Sequence, residues 1–272
     1  MHKVLRPRQG LARLNLGELW SYRELLFFFA WRDILVRYKQ TVIGILWAFI
    51  RPLVAMVVFT LIFGRLAKLP SNAVPYPVFA FAGLLPWQLF SSAFMEASSS
   101  VVGNSQLVSK VYFPRLIIPI SATFSALADF LVSAVMLIGL LLWYRVPVSA
   151  NVLWLIPLTA LCMLLAVGGG IWFSALFVRY RDIRHLIPFV MQLGIYLTPV
   201  GFSSAIIPER WRLLYSLNPM VGVIEGFRWA LFGGQNTIDP RALALSVVIA
   251  LVMLAVGTVY FRNTERVFAD II

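Results

Sequence analysis

Three ionisable residues interrupt long apolar stretches of the chain: Arg51, followed by Pro52, then Glu96 and Asp129. At the centre of a membrane-spanning helix such a group costs at least ~2.5–3.5 kcal/mol on insertion scales, so each needs a partner or a function. Two arrangements satisfy them. In one they line a polar path, with Arg51 attracting an anionic group; in the other Arg51 pairs with Glu96 or Asp129 inside a helix bundle. Enzymatic constellations do not assemble. The lysines, Lys3, Lys39, Lys68 and Lys110, all lack a preceding glycine, which excludes a phosphate loop of the G-x-x-x-x-G-K-[ST] type. There is no G-x-S-x-G and no H-E-x-x-H. His2 and His185 are far apart, so no His-based metal site is expected, and the lone Cys162 cannot form a disulfide within the chain. Gly168-Gly169-Gly170 lies in an apolar run without strand-turn-helix context and reads as close helix packing.

The elements that must position these groups follow from composition. Of 272 residues, 61% are hydrophobic and only 12% are charged, and mean hydropathy is +0.87. A soluble domain is ~25% charged and cannot bury that much apolar surface. The chain is therefore an integral membrane protein. The formal net charge of +12 could signal nucleic acid, but basic residues also gather on the cytoplasmic side of membrane proteins. Arg recurs through the N-terminal region and no cleavage site follows a short apolar core, so no cleaved signal peptide is expected.

Six stretches are long enough to cross ~30 Å of hydrocarbon: 42–64, 78–102, 116–143, 152–178, 186–202 and 242–261. With six spans, fifteen Lys and Arg fall on the side of the termini and seven on the other, Arg51 being inside a span. That asymmetry makes both termini cytoplasmic and explains the basic excess without nucleic acid. Residues 203–239 are broken by Pro208, Pro219, Gly222, Gly226 and Gly233-Gly234. They read as two short re-entrant helices, roughly 208–217 and 219–232, or as an ordinary extracytoplasmic loop. Residues 16–40 mix Trp, Leu and Phe with Glu18, Arg23, Arg32 and Arg37, as in an amphipathic helix lying in the membrane interface. Such a helix serves as an anchor or as a docking surface. The 103–115 loop carries Leu107, Val108, Val111, Tyr112 and Phe113 before Pro114, an apolar knob that packs on the membrane surface or meets a partner. Aromatic residues, 14% of the chain, cluster at span ends, Trp47, Trp87 and Trp211 among them. They form an interfacial belt, or in part line a channel where a flat ring stacks on a sugar.

Read in order, these segments resemble a known family. They are Trp31-Arg32-Asp33-Ile34, Arg37-Tyr38-Lys39-Gln40, Gly44-Ile45-Leu46-Trp47 and Arg51-Pro52-Leu53, then Gly83-Leu84-Leu85-Pro86-Trp87. Lys110-Val111-Tyr112-Phe113-Pro114-Arg115 and Arg179-Tyr180-Arg181-Asp182 follow. Leu197-Thr198-Pro199-Val200, Ile207-Pro208-Glu209-Arg210-Trp211, Leu217-Asn218-Pro219-Met220 and Glu225-Gly226-Phe227-Arg228 complete the set. The chain is similar, over about residues 16–262, to ABC-2-type permease subunits of bacterial polysaccharide exporters, which handle O-antigen, capsule or teichoic acid.

The resemblance implies an all-α integral membrane fold, with residues 1–272 forming one transmembrane domain. Six transmembrane helices per protomer are joined by the 16–40 interface helix and re-entrant extracytoplasmic gate helices at 208–234. It implies a homodimer enclosing a channel in the bacterial inner membrane. ATP and Mg would sit on a separate ATP-binding-cassette ATPase subunit, this chain carrying no cofactor and no catalytic residue. Glu18, Arg23, Arg32, Arg37, Lys110, Val111, Tyr112, Phe113 and Arg115 become ATPase-coupling positions. Pro208, Trp211, Asn218, Pro219, Glu225 and Arg228 become gate positions. Candidate substrate-path residues are Arg51, Trp47, Trp87, Glu96, Asp129 and Tyr196, the substrate being a polysaccharide on a lipid-pyrophosphate or other lipid carrier. Rival readings are an ABC-2 permease for a drug or lipid, a membrane-embedded glycosyl- or acyltransferase, and a passive channel.

Overall fold

A computed structural model describes residues 16–39, 44–71, 74–233, 238–265 and 268. Nearly all of the described chain is helical, with no strand among the described residues. Two short N-terminal helices, α1 (Leu16–Ser21) and α2 (Arg23–Lys39), replace the single helix expected over 16–40 and break at Tyr22. Then come α3 (Gly44–Phe59), running on as a π-helical turn (Thr60–Leu66), α4 (Tyr76–Gly103) and α5 (Ser105–Lys110). The rest is α6 (Ile117–Trp143), α7 (Leu155–Arg179), α8 (Ile183–Leu197), α9 (Glu209–Tyr215), α10 (Pro219–Phe232) and α11 (Pro240–Thr264).

Among the described residues, five helices are long and apolar enough to cross a membrane: Leu46–Leu66, Tyr76–Gly103, Ile117–Trp143, Ala150–Arg179 and Pro240–Thr264. The stretch expected over 186–202 is shorter, since α8 has 15 residues and reaches only ~22 Å at 1.5 Å per residue. Pro199 lies just beyond it, and the chain turns there.

The least apolar of the five is the most enclosed. The α4 window is 78% buried at hydropathy 1.4, whereas the α3 window is 17% buried at 2.2. Lipid accepts Leu and Val without penalty but leaves Ser, Gln and Glu unsatisfied, so the helix carrying those groups is surrounded by protein. α4 packs against α6 and α7, and α7 against α11. The glycine triplet makes the second and third of these contacts close. A Cβ on Gly170 would fall 2.4 Å from the Ala97 Cβ on α4, and one on Gly168 would fall 2.8 Å from the Leu254 backbone nitrogen on α11. Small residues at such crossings let helix backbones approach and gain dispersion contacts.

At the other end, α10 and α11 form an antiparallel pair. The Ser246 hydroxyl donates to the Pro219 carbonyl at 2.7 Å, and the Leu231 carbonyl accepts from the Ser149 amide at 3.3 Å. Each helix begins with a side-chain cap and a proline in the first turn: Asn218 accepts from the Met220 amide, and Asp239 from the Arg241 amide.

Because the α4–α7 contact has no room for a side chain, Gly170→Val is expected to destabilise the protein by about 1–3 kcal/mol. Gly139→Ala, where a Cβ meets nothing within 4 Å, is expected to be neutral. Thermal unfolding in detergent, with membrane yield alongside, checks the pair.

Candidate functional site

The two carboxylates that interrupt the spans share one cation, and it is not Arg51. Arg37, in the last turn of α2, binds Glu96 of α4 through one guanidinium nitrogen and Asp129 of α6 through another, the second at 2.8 Å. Ser125 donates to Glu96, and the Tyr38 hydroxyl donates to Asp129. Of the two arrangements open from the sequence, pairing of Arg51 with Glu96 or Asp129 does not form among the described residues. Arg37 comes from outside the spans, yet it reaches the level where both acids sit. Burial would lower the Arg37 guanidinium, but the adjacent Glu96 and Asp129 outweigh it, and Arg37 is held above its ordinary value. Burial, then the bond to Asp129, pushes the Tyr38 phenol well above its usual range, so it remains a neutral donor.

A cavity of about 310 Å³ opens beside this cluster, lined by Arg37, Tyr38, Trp47, Arg51, Gln88 and Asp129 among others. Three candidate path residues, Arg51, Trp47 and Asp129, therefore converge. Arg51 lines the cavity and lies 5.9 Å from the Trp47 ring centroid, within cation–π range. Glu96 adjoins through Arg37. The other two do not join them: Trp87 is buried against Phe90, at 5.8 Å between ring centroids, and Tyr196 is exposed on α8. Sequence reasoning passed over Gln88 and Ser92. The signal was present, since Gln88, Ser92 and Glu96 are spaced four apart and form one polar stripe on α4.

The residues expected to couple to an ATPase separate into two kinds. Arg32 bonds Asp33 and reaches the Asn104 side chain at 3.1 Å, tying α2 to the end of α4. Phe113 is only 6% exposed and meets Phe29 of α2 edge-on at 5.7 Å. Val108 is buried as well, so the apolar knob does not stand out whole. What remains outward is Val111 and Tyr112, the latter 74% exposed, with Lys110 beside them. Arg115 donates to the Glu265 carbonyl, and Arg23 stacks 5.2 Å from Trp20. Glu18 falls on α1, its side chain outside the described residues. On α2 the outward residues are Phe27, Phe28, Trp31, Leu35 and Val36, while Arg32 and Arg37 turn toward the bundle. This polarity suits lipid on the outer side.

Two of the expected gate positions, Glu225 and Arg228, lie together, and Arg228 is buried. Arg228 on α10, 2% exposed, donates to the Val200 carbonyl at 2.6 Å and to Phe202 at 2.9 Å. It lies 3.7 Å over the Phe79 ring of α4. Gly83 gives it room, as a Cβ there would fall 2.7 Å from its guanidinium. Glu225, one turn earlier, accepts from the Ser204 amide at 3.0 Å. Together they staple the α8–α9 connection onto α10, with Asn218 and Pro219 starting that helix. Pro208 precedes α9, and Trp211 on α9 is exposed.

The sequence profile described as ABC-2 type transporter matches residues 24–232, from the start of α2 to the end of α10. The chain belongs to the ABC-2 type transporter family. It is 29% identical to the O-antigen export system permease protein RfbA of Klebsiella pneumoniae, over 96% of this chain and 98% of that protein. Identity is 30% with the RfbA protein of Myxococcus xanthus, covering 93% and 97%. The polysialic acid transport protein KpsM of Escherichia coli is 25% identical over 86% and 91%. In this ABC-2 chain the cation cluster, the cavity and the Arg228 staple all fall inside the matched residues.

Arg37→Gln is expected to leave two carboxylates facing each other without a cation. Loss of one partner from a fully buried pair costs on the order of 3–5 kcal/mol, and this partly exposed cluster is expected to lose about 2 kcal/mol. Hydrogen exchange of α2 should rise together with a fall in thermal midpoint. Adding Glu96→Gln and Asp129→Asn should recover part of the loss, and unchanged α2 exchange in the single variant would contradict the assignment.

Proposed function

We propose that this ABC-2 transporter chain is the permease subunit of an ATP-driven exporter of lipid-linked polysaccharide of the O-antigen or capsule kind. The observation that carries the proposal is the end-to-end similarity to export permeases of that class, at 93–98% coverage of either partner. The chain lacks a phosphate loop, which fits hydrolysis of ATP, with Mg, on a separate ATPase subunit. Two copies enclose the path. The outer face of α3, where Leu53, Val54, Val57, Val58 and Leu61 are exposed, supports a second copy there.

Six crossings with both termini cytoplasmic remain the favoured topology. α8 starts just after the end of α7, and the turn that follows it reaches the start of α4, where the Tyr76 hydroxyl donates to the Gly201 carbonyl. α8 and its following turn therefore join the two ends of the bundle, although the helix alone is short. The α9–α10 pair enters and returns on the extracytoplasmic side as a gate, its deepest residue, Pro219, lying against Ser246 of α11. Closure of the ATPase pair pulls on α2 and the 103–115 loop, and Arg37 passes that displacement to α4 and α6 together. The glycan enters beside Arg51 and leaves past the gate. Arg51, unpaired with either acid and next to Trp47, supplies charge and a ring for the carrier phosphate and the first sugar.

Deleting the gene should abolish surface polysaccharide and accumulate lipid-linked polymer inside the cell, with restoration by the intact gene; normal surface polymer overturns the proposal. Within the complex, Tyr112→Ala should lower ATPase co-purification while membrane yield is kept. Phe113→Ala, which opens a core cavity, should instead cost stability, about 3 kcal/mol or more. Arg51→Gln should remove stimulation of ATPase activity by substrate and leave assembly intact. Full stimulation would take Arg51 off the path.

A further inference from the structure

The second cavity, about 220 Å³, lies between the 111–116 segment and the end of α11, lined by Tyr112, Pro114, Arg115, Arg262 and Glu265 among others. Arg262 is 9% exposed, and its Nε has no hydrogen-bond partner among the described residues. A buried guanidinium nitrogen without an acceptor carries a desolvation penalty, and the Arg262 side chain also lines the cavity, where its charge would draw an anion. The second cation, Arg115, is fixed in place. It donates to the Glu265 carbonyl and lies 5.9 Å from the ring of Phe268, which is itself fully buried edge-on against Phe261 at 5.2 Å. Among the described residues, the charged ones lining the cavity are Arg115, Arg262 and Glu265, two bases to one acid. Exposed Tyr112 stands on the same wall. Arg262 also lies beyond residues 24–232, outside the stretch matched to the family.

We infer that this cavity is a socket for one acidic side chain of the ATPase subunit, held between Arg115 and Arg262. The inference rests on the export reading and adds to it the last helix as a docking element and a carboxylate as the partner group. A cavity of this size accepts the head of a single Asp or Glu, and its wall is the segment whose Tyr112 already faces outward. Binding there would connect the ATPase to α11 directly, in addition to α2, because Arg262 is the last-turn base of that helix.

The test uses the full chain co-expressed with its ATPase subunit and purified in detergent. Arg262→Gln should lower the ATPase recovered per permease about tenfold, Arg262→Lys should stay within about twofold of the unaltered chain, and export should fall in parallel. Unaltered recovery with Arg262→Gln overturns the inference alone. A loss of co-purified anionic phospholipid with unaltered ATPase recovery assigns the socket to a lipid headgroup and also overturns it. No ATPase with the unaltered chain overturns the export reading and the inference with it. Should Arg262→Gln fail to accumulate, photoreactive benzoyl-phenylalanine in place of Tyr112 should capture an ATPase peptide containing Asp or Glu, and capture of lipid alone decides against the socket.

Discussion

One cation holds one end of the helix bundle together. Glu96 and Asp129 belong to different spans and would repel each other in a medium too poor in water to screen them. Arg37 neutralises both, and it comes from a helix that lies outside the five long spans. The position of α2 is therefore bound to the separation of α4 and α6. A helix held only by its apolar face could slide along the membrane surface. A helix held by a two-pronged ion contact, with Arg32 on Asn104 and Phe29 on Phe113 as further fixings, moves only with the spans it grips.

The rest of the architecture complements that grip. α4 carries the polar stripe, so it must be enclosed, and α6, α7 and α10 pack around it, the glycine triplet letting α7 approach closely. α3 is left on the periphery with its apolar residues outward, which is where a second copy would bury them. At the opposite end Arg228 plays a role comparable to Arg37. It binds two backbone carbonyls of the α8–α9 turn, groups left without helical partners where the chain turns. Two arginines thus fix the two ends of the bundle, one through acids and one through carbonyls.

Much of this was legible before any coordinates. Apolar length alone located five of the spans to within a few residues, because hydrocarbon thickness sets helix length almost independently of neighbours. The glycine triplet read correctly as a packing feature. Other features were less legible. A single helix over 16–40 was expected where Tyr22 divides two, a difference of local hydrogen bonding that composition does not carry. The 103–115 loop was expected to present five apolar residues, yet Val108 and Phe113 point inward, since an irregular segment has no period from which a face can be read.

The sequence by itself determined the solvent and the inventory: a lipid-embedded helical chain with three costly charges, a broken segment and no phosphate loop, because each of these depends on residue type and local spacing alone. Only the tertiary structure decided which charges meet. Arg51 and Arg37 are the same residue type and both lie within reach of the spans in sequence. What separates them is that α2 folds back beside α6 and presents Arg37 to two acids, while Arg51 lines a cavity beside Trp47. Long-range pairing is set by how helices pack, and packing depends on residues as far apart as Arg37 and Asp129, which no local pattern connects.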